Sequence, residues 1–263
     1  MAGALESLAN HRGLLWQMTR RDLRGRYAGS LIGVFWTVIN PLLLLAVFTF
    51  IFTVVFKARF GEGGVGLSAL YILAGILPWL AFADGLGRSG SIILDNKNLV
   101  TRARFPLAVI PAFPAFSSLL GQLAGLCLLI VIAGFGSRPP GPSLALLPAL
   151  LALQLIFTVG LALAAASIAI YLRDLIHALP VLLLVWMYAT PVFYPASLVP
   201  EKYQLVIALN PMARLINAYR CVILEGAWPG ASSLIFIAAA AAGSLIIGSL
   251  VFNRLAAGIA DRL

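Results

Sequence analysis

Long apolar segments alternate with short polar ones along most of this chain. The first of them contains no charged residue from Leu31 to Phe56. Because an α-helix needs about 20 apolar residues to cross about 30 Å of hydrocarbon, each long segment is typical of a transmembrane helix. The pattern predicts an all-α membrane protein with six transmembrane helices, over residues 31–56, 67–87, 106–134, 144–171, 178–194 and 232–253. We expect Pro41 to kink the first of them.

The first 30 residues follow a different pattern, in which apolar and basic residues share a helical period. Trp16, Leu23 and Tyr27 fall on one stripe of a helix, and arginines fall on the adjacent stripe. This pattern is typical of a helix in the membrane interface, with its basic face toward lipid head groups. Gly25 weakens such a helix by about 1 kcal/mol, so a break there is plausible. The chain therefore divides into an interfacial helix (residues 1–30) and a transmembrane domain (residues 31–263).

The longest external connection, residues 195–231, predicts two short helices rather than a loop. They cover residues 198–209 and 212–224, and Asn210 and Pro211 separate them. Their apolar positions include Leu205, Leu209, Met212 and Leu215, and their charged positions are Glu201, Lys202, Arg214 and Arg220. The pattern indicates half-helices that dip into the outer leaflet, where irregular backbone is tolerated only if protein surrounds it or it lines a cavity.

Composition and charge agree with a polytopic membrane protein. Of the 263 residues, 62% are hydrophobic and 10% are charged, whereas about a quarter are charged in soluble domains. The net charge of +9 comes from basic residues beside apolar segments, which favours lipid head groups over nucleic acid. Twelve Lys and Arg residues lie on the side of the N-terminus and six on the other. The positive-inside rule therefore predicts that both termini are cytoplasmic.

The sequence gives little support to an enzyme or an ion-coupled transporter. His11 and His177 have no partner at the spacing of a metal or nucleophile site, so we predict no catalytic or metal-binding residues. No lysine follows a glycine, which excludes a Walker A phosphate loop. Asp84 is the main ionisable residue inside a predicted helix. Its position four residues before Arg88 predicts a local ion pair.

The remaining functional class is a membrane translocator that is powered by another protein. The cytoplasmic loop 88–105 places the apolar residues Ile92, Ile93 and Leu94 beside a polar stretch that ends in Arg102 and Arg104. One interpretation is a short helix that docks in a groove of a soluble partner. The other is a solvated loop whose positive charge serves only membrane topology.

Aromatic residues crowd the first and fifth predicted helices. Interfacial belts and ordinary packing are one explanation for them. A path for a sugar polymer is the other, because the apolar C–H faces of sugars slide over aromatic rings. Two Gly-x-x-x-Gly pairs, at residues 29 and 33 and at residues 121 and 125, permit close helix approach. The aromatic residues are Phe35, Trp36, Phe48, Phe50, Phe52, Phe56, Trp186, Tyr188, Phe193 and Tyr194.

Several ordered motifs resemble those of the permeases of type-2 ABC exporters, and most closely the branch that exports polysaccharides such as O-antigen, capsule or teichoic acid. The matches run in order over nearly the whole chain. They are Arg21-Asp22-Leu23-Arg24-x-Arg26-Tyr27-x-x-Ser30-x-x-Gly33-x-x-Trp36, Asn40-Pro41-Leu42, Asn98-Leu99-Val100, Arg104-Phe105-Pro106 with Pro111, Tyr171-Leu172-Arg173-Asp174-Leu175, Thr190-Pro191-Val192-Phe193-Tyr194-Pro195, Asn210-Pro211-Met212 and Tyr219-Arg220.

The resemblance implies an assembly as well as a cargo. The chain would form half of a homodimer in the cytoplasmic membrane, bound to two separate ATP-binding cassette subunits that hold ATP and Mg²⁺. No cofactor is expected in the chain itself. The cargo would be a glycan linked to undecaprenyl diphosphate. Alternatives are another cargo, namely teichoic acid, capsule, a drug or a simple lipid, or a membrane-embedded sugar or lipid transferase.

The resemblance also implies candidate residues for each task. The diphosphate would bind at the cytoplasmic entrance to Arg20, Arg21, Arg24, Arg26 and Tyr27, although anchoring to anionic lipid explains these arginines equally well. Channel candidates are Phe35, Trp36, Phe48, Phe52, Trp186 and Tyr188. Candidates for coupling to the ATPase are Asp95, Asn96, Lys97, Asn98, Arg102 and Arg104. Candidates for an external gate are Phe193, Tyr194, Asn210, Pro211, Tyr219 and Arg220. The neighbouring Arg173 and Asp174 would pair to brace the gate or contact the partner.

Overall fold

Helices form nearly all of the computed structural model, which describes residues 3–26, 28–51, 64–102, 105–135, 141–256 and 258–259. Within these ranges no β-strand is present, which confirms the all-α prediction. A π-helical turn, Cys221–Glu225, follows α11. The helices are α1 (Ala4–Asn10), α2 (Arg12–Arg26), α3 (Trp36–Phe50), α4 (Gly64–Gly87), α5 (Ser89–Asp95), α6 (Lys97–Arg102), α7 (Val109–Gly134), α8 (Leu147–Tyr171), α9 (Asp174–Tyr188), α10 (Glu201–Ala208), α11 (Pro211–Arg220) and α12 (Ala231–Ala256).

Each predicted transmembrane segment contains an apolar helix, but the helices differ in length. Among the described residues, four apolar helical stretches are long enough to cross a bilayer: Ser68–Asp95, Val109–Gly134, Pro142–Tyr171 and Ala231–Ala256. The apolar helices α3 and α9 have 15 residues each, or about 22 Å. Residues 52–56 of the first predicted span lie outside the described residues. The chain is a multi-pass membrane protein.

Helix α4 lies at the centre of the fold and contacts α3, α7, α8, α9 and α11. Its aromatic residues Trp79 and Phe82 are buried and pack against rings from two other helices. The ring centres of Phe82 and Phe157 are 5.6 Å apart, and those of Phe82 and Trp186 are 5.2 Å apart. Apolar contacts and ring packing thus join α4, α8 and α9 in one core.

Small residues bring α8 and α12 into backbone contact, and this contact is not among the predicted glycine pairs. A Cβ atom on Gly160 would lie 2.5 Å from the backbone nitrogen of Leu245, so only glycine fits there. Of the predicted pairs, Gly125 packs closely against Leu77 of α4. Gly29 and Gly33 instead have φ angles of 80° and 55° in the turn between α2 and α3, a conformation that favours glycine.

Helix α2 lies against α7 and buries one face, as an interfacial helix requires. Leu15, Met18 and Thr19 are buried, whereas Trp16, which the pattern placed on the apolar stripe, is 56% exposed. Helix α2 ends at Arg26, one residue after Gly25, where the sequence predicted a break. The ion pair between Asp22 and Arg26 spans this glycine and supports the last turn.

The N-terminal and C-terminal segments lie side by side. The backbone N–H of Ala4 donates a hydrogen bond of 2.9 Å to the side-chain oxygen of Asn253, near the end of α12. Helix α1 also contacts α12. Both ends of the described chain are therefore on the same side of the molecule, as an even number of spans requires.

The external segment forms two short helices separated by Asn210, as the sequence predicts, but they differ in environment. Helix α11 is largely buried against α4, α8 and α12, whereas α10 has no buried residue. Arg220, one of the charged positions of this segment, is buried, since it is 1% exposed. Leu205 and Leu209 are apolar but exposed, with exposed fractions of 68% and 60%.

Candidate functional site

Four charged side chains meet where α2 packs against α4 and α7. Asp22 accepts hydrogen bonds from both Nη atoms of Arg88, one of them 2.9 Å long, and a further one of 3.3 Å from Nε of Arg26. Nη2 of Arg26 donates to Asp84 over 2.5 Å, and Nη1 of Arg88 lies 3.7 Å from the same carboxylate. Because each helix places its acid and its arginine four residues apart, both pairs lie on one helical face. We call Asp22, Arg26, Asp84 and Arg88 the charge cluster.

Two serines of α7 complete the charge cluster. Ser117 donates a 2.5 Å hydrogen bond to Asp22, and Ser118 donates to Asp84. Burial alone would raise the pKa of Asp22. The hydrogen bonds from Arg88 and Ser117, together with the positive charges of Arg88 and Arg26, outweigh burial and lower this pKa below its ordinary value of 3.8. Asp22 is therefore ionised at neutral pH.

The predicted pair between Asp84 and Arg88 forms, but it is not the main contact of Arg88, whose two Nη atoms face Asp22. Sequence reasoning gave Asp22 no site role. Its position within the Arg21-Asp22-Leu23-Arg24 motif was the available signal, since local spacing cannot show a contact with a residue 66 positions away.

The arginines proposed for the cytoplasmic entrance fall into two groups. Arg26 is held by the charge cluster, whereas Arg20, Arg21 and Arg24 are exposed and make no hydrogen bond or ion pair with any described residue. The side chains of these three arginines are therefore available for phosphate or lipid. Tyr27, the fifth candidate, lies outside the described residues.

A cavity of about 210 Å³ opens beside the charge cluster, between α3, α4 and α7. Arg26 and Asp84 border one part of it, and Gln122 of α7 borders another. Trp36 also lines this cavity, and its Nε1 donates to Ser30 over 3.1 Å. We call it the α3–α4–α7 cavity. Its other lining residues are Thr37, Asn40, Pro41, Leu44, Leu77, Leu80, Ala81, Ser118 and Gly121.

Behind this cavity, a buried network of polar side chains joins four helices. Nε2 of Gln154 donates to Gln122 over 2.8 Å and to the carbonyl of Pro78 over 3.1 Å. The Tyr219 hydroxyl donates to Oε1 of Gln154 over 2.8 Å. Pro78 belongs to α4, so the network ties α4, α7, α8 and α11 together. Tyr219 was predicted to belong to an external gate, and its hydroxyl contacts the protein interior instead of solvent.

The candidate channel aromatics occupy different environments. Phe35 and Tyr188 are 73% and 61% exposed, and Phe48 packs at 5.6 Å from Phe193, centre to centre. Trp186 packs inside the protomer against Phe82, as described above. Trp36 lines the α3–α4–α7 cavity. Phe52 lies outside the described residues.

The candidate coupling segment forms two helices, α5 and α6. Ile92 and Ile93 of α5 are 7% and 1% exposed and pack inside this chain against α7 and α8. They therefore do not form the docking surface that their apolar character suggested. The exposed residues follow them: Asp95, Lys97 and Asn98 are exposed, and Asn96 is partly buried through a 2.8 Å hydrogen bond to the carbonyl of Ile92. Arg102 ends α6, and Arg104 lies outside the described residues.

The predicted ion pair between Arg173 and Asp174 does not form among the described residues. Arg173 and Asp174 are both exposed, and neither makes an ion pair within the described parts of the chain. They line an open cavity of about 440 Å³ at the end of α8. Tyr171 beside them donates a 2.9 Å hydrogen bond to the carbonyl of Leu255, which attaches α8 to α12.

The residues predicted for an external gate surround one turn. Asn210 caps α11 by accepting a 3.0 Å hydrogen bond from the N–H of Met212, and Pro211 occupies the first helical position. The same side-chain oxygen accepts from Nε1 of Trp186 over 3.1 Å, and the amide nitrogen donates to Thr190 over 2.8 Å. Asn210 thus fixes α11 to the end of α9. Phe193 and Tyr194 follow Thr190 and are partly buried.

Arg220 holds the other end of α11 against the same turn. Its guanidinium donates to the carbonyls of Tyr71, Pro191 and Val192 over 3.0, 2.8 and 2.6 Å. It also lies 3.7 Å from the centre of the Tyr71 ring. Sequence reasoning found Arg220 but not Tyr71, whose contribution comes from its backbone and ring face.

Comparison with known proteins agrees with these features. The family model described as "ABC-2 type transporter" matches residues 13–224. The O-antigen export system permease protein RfbA of Myxococcus xanthus is 33% identical over 255 residues, which cover 96% of each chain. The RfbA protein of Klebsiella pneumoniae is 30% identical over 81% of each chain. The polysialic acid transport protein KpsM of Escherichia coli is 20% identical over 89% of this chain and 90% of its own. This chain belongs to the ABC-2 type transporter family.

Proposed function

We propose that this chain is the permease subunit of an ATP-driven exporter that moves lipid-linked, O-antigen-like polysaccharide across the cytoplasmic membrane. The similarity to two O-antigen export permeases over 96% and 81% of the chain carries this proposal. The polar cavity beside an interfacial helix with exposed arginines supports it, because an anionic lipid-linked sugar needs both kinds of group at its point of uptake.

The proposed topology has six spans with both termini in the cytoplasm. Helices α3 and α9 supply the two spans that are short, and α10 and α11 enter the outer leaflet without crossing it. The contact between Ala4 and Asn253 supports termini on a common side. The excess of Lys and Arg residues on that side supports a cytoplasmic location. Residues 1–30 then form the interfacial unit, and residues 31–263 form the permease domain.

The proposed assembly contains two copies of this chain and two ATP-binding cassette subunits, which bind ATP and Mg²⁺. The chain itself acts as a transport subunit and holds no cofactor. Exposed apolar side chains on α3 and α9, such as Leu43, Val47, Val181 and Val185, are suited to lipid or to a second copy. The exposed residues Asp95, Lys97 and Asn98 are the part of α5 and α6 that is suited to contact with the ATPase.

The cargo diphosphate is proposed to meet α2 first at Arg20, Arg21 and Arg24. These exposed guanidinium groups suit phosphate oxygens, which arginine binds bidentately. Anchoring of the helix to anionic lipid is the competing role.

We predict that Arg21→Glu combined with Arg24→Glu abolishes export, because two repulsive carboxylates replace two phosphate donors, while membrane insertion stays normal. Surface glycan and the level of membrane-inserted protein are the measurements. Arg254→Glu, an exposed arginine at the end of α12, is the control and leaves export intact. Normal export by the double variant would assign these arginines to another role.

Deletion of the gene in its native host tests the function itself. The expected result is loss of surface polysaccharide with accumulation of lipid-linked polymer inside the cell, restored by the plasmid-borne gene. Retention of a capsular polymer instead would favour the second candidate, capsule export, for which the similarity to the polysialic acid transport protein is the specific observation. Transferase activity in the purified chain would contradict both.

A further inference from the structure

We propose that the α3–α4–α7 cavity binds the phosphorylated sugar next to the lipid diphosphate of the cargo. The inference rests on the proposed function and adds a specific site to it. The cavity of about 210 Å³ is smaller than the 300–1,000 Å³ typical for drug-sized ligands, so it suits a single sugar ring rather than a polymer segment.

Arg26 supplies the charged donor of this site. Its Nε and Nη2 atoms are used by Asp22, Asp84, Ser117 and Ser118, whereas its Nη1 makes no hydrogen bond with any described residue. The charge cluster therefore fixes the guanidinium and leaves two N–H donors for a ligand oxygen. A fixed guanidinium loses little conformational entropy when it binds a phosphate, which favours this group over the exposed arginines of α2 for recognition.

Asn40 supplies neutral hydrogen-bonding groups. It lines the cavity, is exposed, and its side chain makes no hydrogen bond in the part of the chain that the structure describes. An amide offers both a donor and an acceptor, which matches the paired hydroxyl groups of a sugar. Polar groups are costly within a membrane helix, so an amide without a hydrogen bond among the described residues favours a functional role for Asn40.

Trp36 and Gln122 complete the cavity lining. The Trp36 indole is held by its hydrogen bond to Ser30, so its ring is fixed while it borders the cavity. A fixed aromatic face suits the apolar C–H face of a sugar. Gln122 is held by Gln154, and this pair prevents the polar end of the cavity from collapsing onto apolar side chains. Charge, amide and ring thus surround one small volume.

Binding of two probes to the purified transporter in lipid nanodiscs tests the inference. One probe is a short-chain polyprenyl diphosphate that carries one hexosamine, and the other is the same lipid diphosphate without the sugar. Asn40→Leu is expected to weaken binding of the sugar-bearing probe about three- to tenfold, the effect of about one hydrogen bond, and to leave binding of the sugar-free probe unchanged. Arg26→Gln is expected to weaken both.

The control is Asn217→Leu, which replaces an exposed asparagine of α11 outside the cavity and is expected to change neither affinity. A photo-crosslinking amino acid at position 40 gives a second measurement and is expected to capture the sugar-bearing probe. Equal affinities of wild type and Asn40→Leu for the sugar-bearing probe would overturn the inference, as would equal loss for both probes. Those results would not affect the proposed function. The proposed function would fail if cells that lack the gene accumulated no lipid-linked polymer.

Discussion

Arg220 is a charged side chain that lies inside the protein, and its guanidinium donates hydrogen bonds to three backbone carbonyls. These carbonyls belong to the end of α9 and to α4, so one side chain joins three elements. A lysine cannot reproduce the contact, because its single ammonium group lacks the planar fork that reaches three separate acceptors. Burial of the guanidinium is tolerated because each of its three nitrogens donates a hydrogen bond and the Tyr71 ring covers one face.

We predict that Arg220→Met destabilises the protein strongly, since it leaves buried carbonyls without donors at about 1–3 kcal/mol each. Thermal unfolding of the detergent-solubilised chain is the measurement. Arg220→Lys should recover only part of the loss. Arg254→Met removes an exposed arginine and is the matched control. Equal midpoints for the variants at positions 220 and 254 would refute the role of the carbonyl contacts.

Asp22 gives the second prediction, which concerns pH. Its pKa is lower in the folded protein than in the unfolded chain, so its contribution to stability is complete above the unfolded value of 3.8 and is lost as pH falls through the folded value. We expect the stability difference between wild type and Asp22→Asn to be constant from about pH 8 to about pH 5 and to shrink in more acidic solution. Unfolding midpoints across this range measure it. A stability difference between wild type and Asp22→Asn that grows on acidification would contradict the lowered pKa of Asp22.

At the scale of elements, the charge cluster decides how α2 sits on the membrane domain. An amphipathic helix held only by lipid could slide and rotate in the interface. Here Asp22 binds Arg88, which directly follows α4, and Arg26 binds Asp84 of α4 and the two serines of α7. Because these contacts come from two directions, they fix both the rotation and the position of α2. A displacement of α4 is therefore transmitted to the helix that carries the exposed arginines.

We predict that Asp22 and Arg88 are energetically coupled. Asp22→Asn and Arg88→Gln should each lower stability by about 1–3 kcal/mol, and the double variant should lose less than the sum, with a coupling of about 0.5–3 kcal/mol. Denaturant unfolding of the four proteins in the cycle provides the measurement. Pairing Asp22→Asn with Arg254→Gln gives the control, for which the effects should add. Additivity within the Asp22 and Arg88 pair would show that their contact is energetically unimportant.

At the scale of the whole molecule, polar networks tie distant parts of the fold into one body. The network of Gln122, Gln154 and Tyr219 joins α4, α7, α8 and α11, and the contact between α8 and α12 adds the last long helix. Helices α5 and α6 lie at one end of this body, and Ile93 anchors α5 within it. A push on α6 would thus reach the membrane helices through α5, which continues from α4.

We predict that Asn98→Ala combined with Arg102→Ala uncouples the transporter. The complex with its ATPase should assemble and hydrolyse ATP, while export per ATP falls severalfold, because in the proposed assembly these residues contact the ATPase. Reconstituted ATPase activity and export measured together provide the ratio. The combination of Asn217→Ala and Arg254→Ala serves as control. An unchanged ratio would place the coupling contact elsewhere.

Local patterns in the sequence predicted most of the elements. Apolar length located the four long apolar helices and the two short ones, α3 and α9. Asn210 with Pro211 marked the start of α11, because capping and proline chemistry depend on neighbouring residues. Local patterns failed where a side chain's partner was distant. The sequence did not show that Arg220 is buried, and one of its two interpretations placed Ile92 and Ile93 on a docking helix, because nothing in their neighbourhood shows what packs over them.

The sequence by itself determined that the chain is an all-helical, multi-pass membrane protein, and its ordered motifs indicated the family. The tertiary structure decided which of the N-terminal arginines have partners within the chain. Arg26 binds two carboxylates and two serines beside a cavity, whereas Arg20, Arg21 and Arg24 make no hydrogen bond or ion pair with any described residue. The physical reason is that apolar length and periodicity act within one helix, whereas partners for buried charges come from helices that only folding brings together.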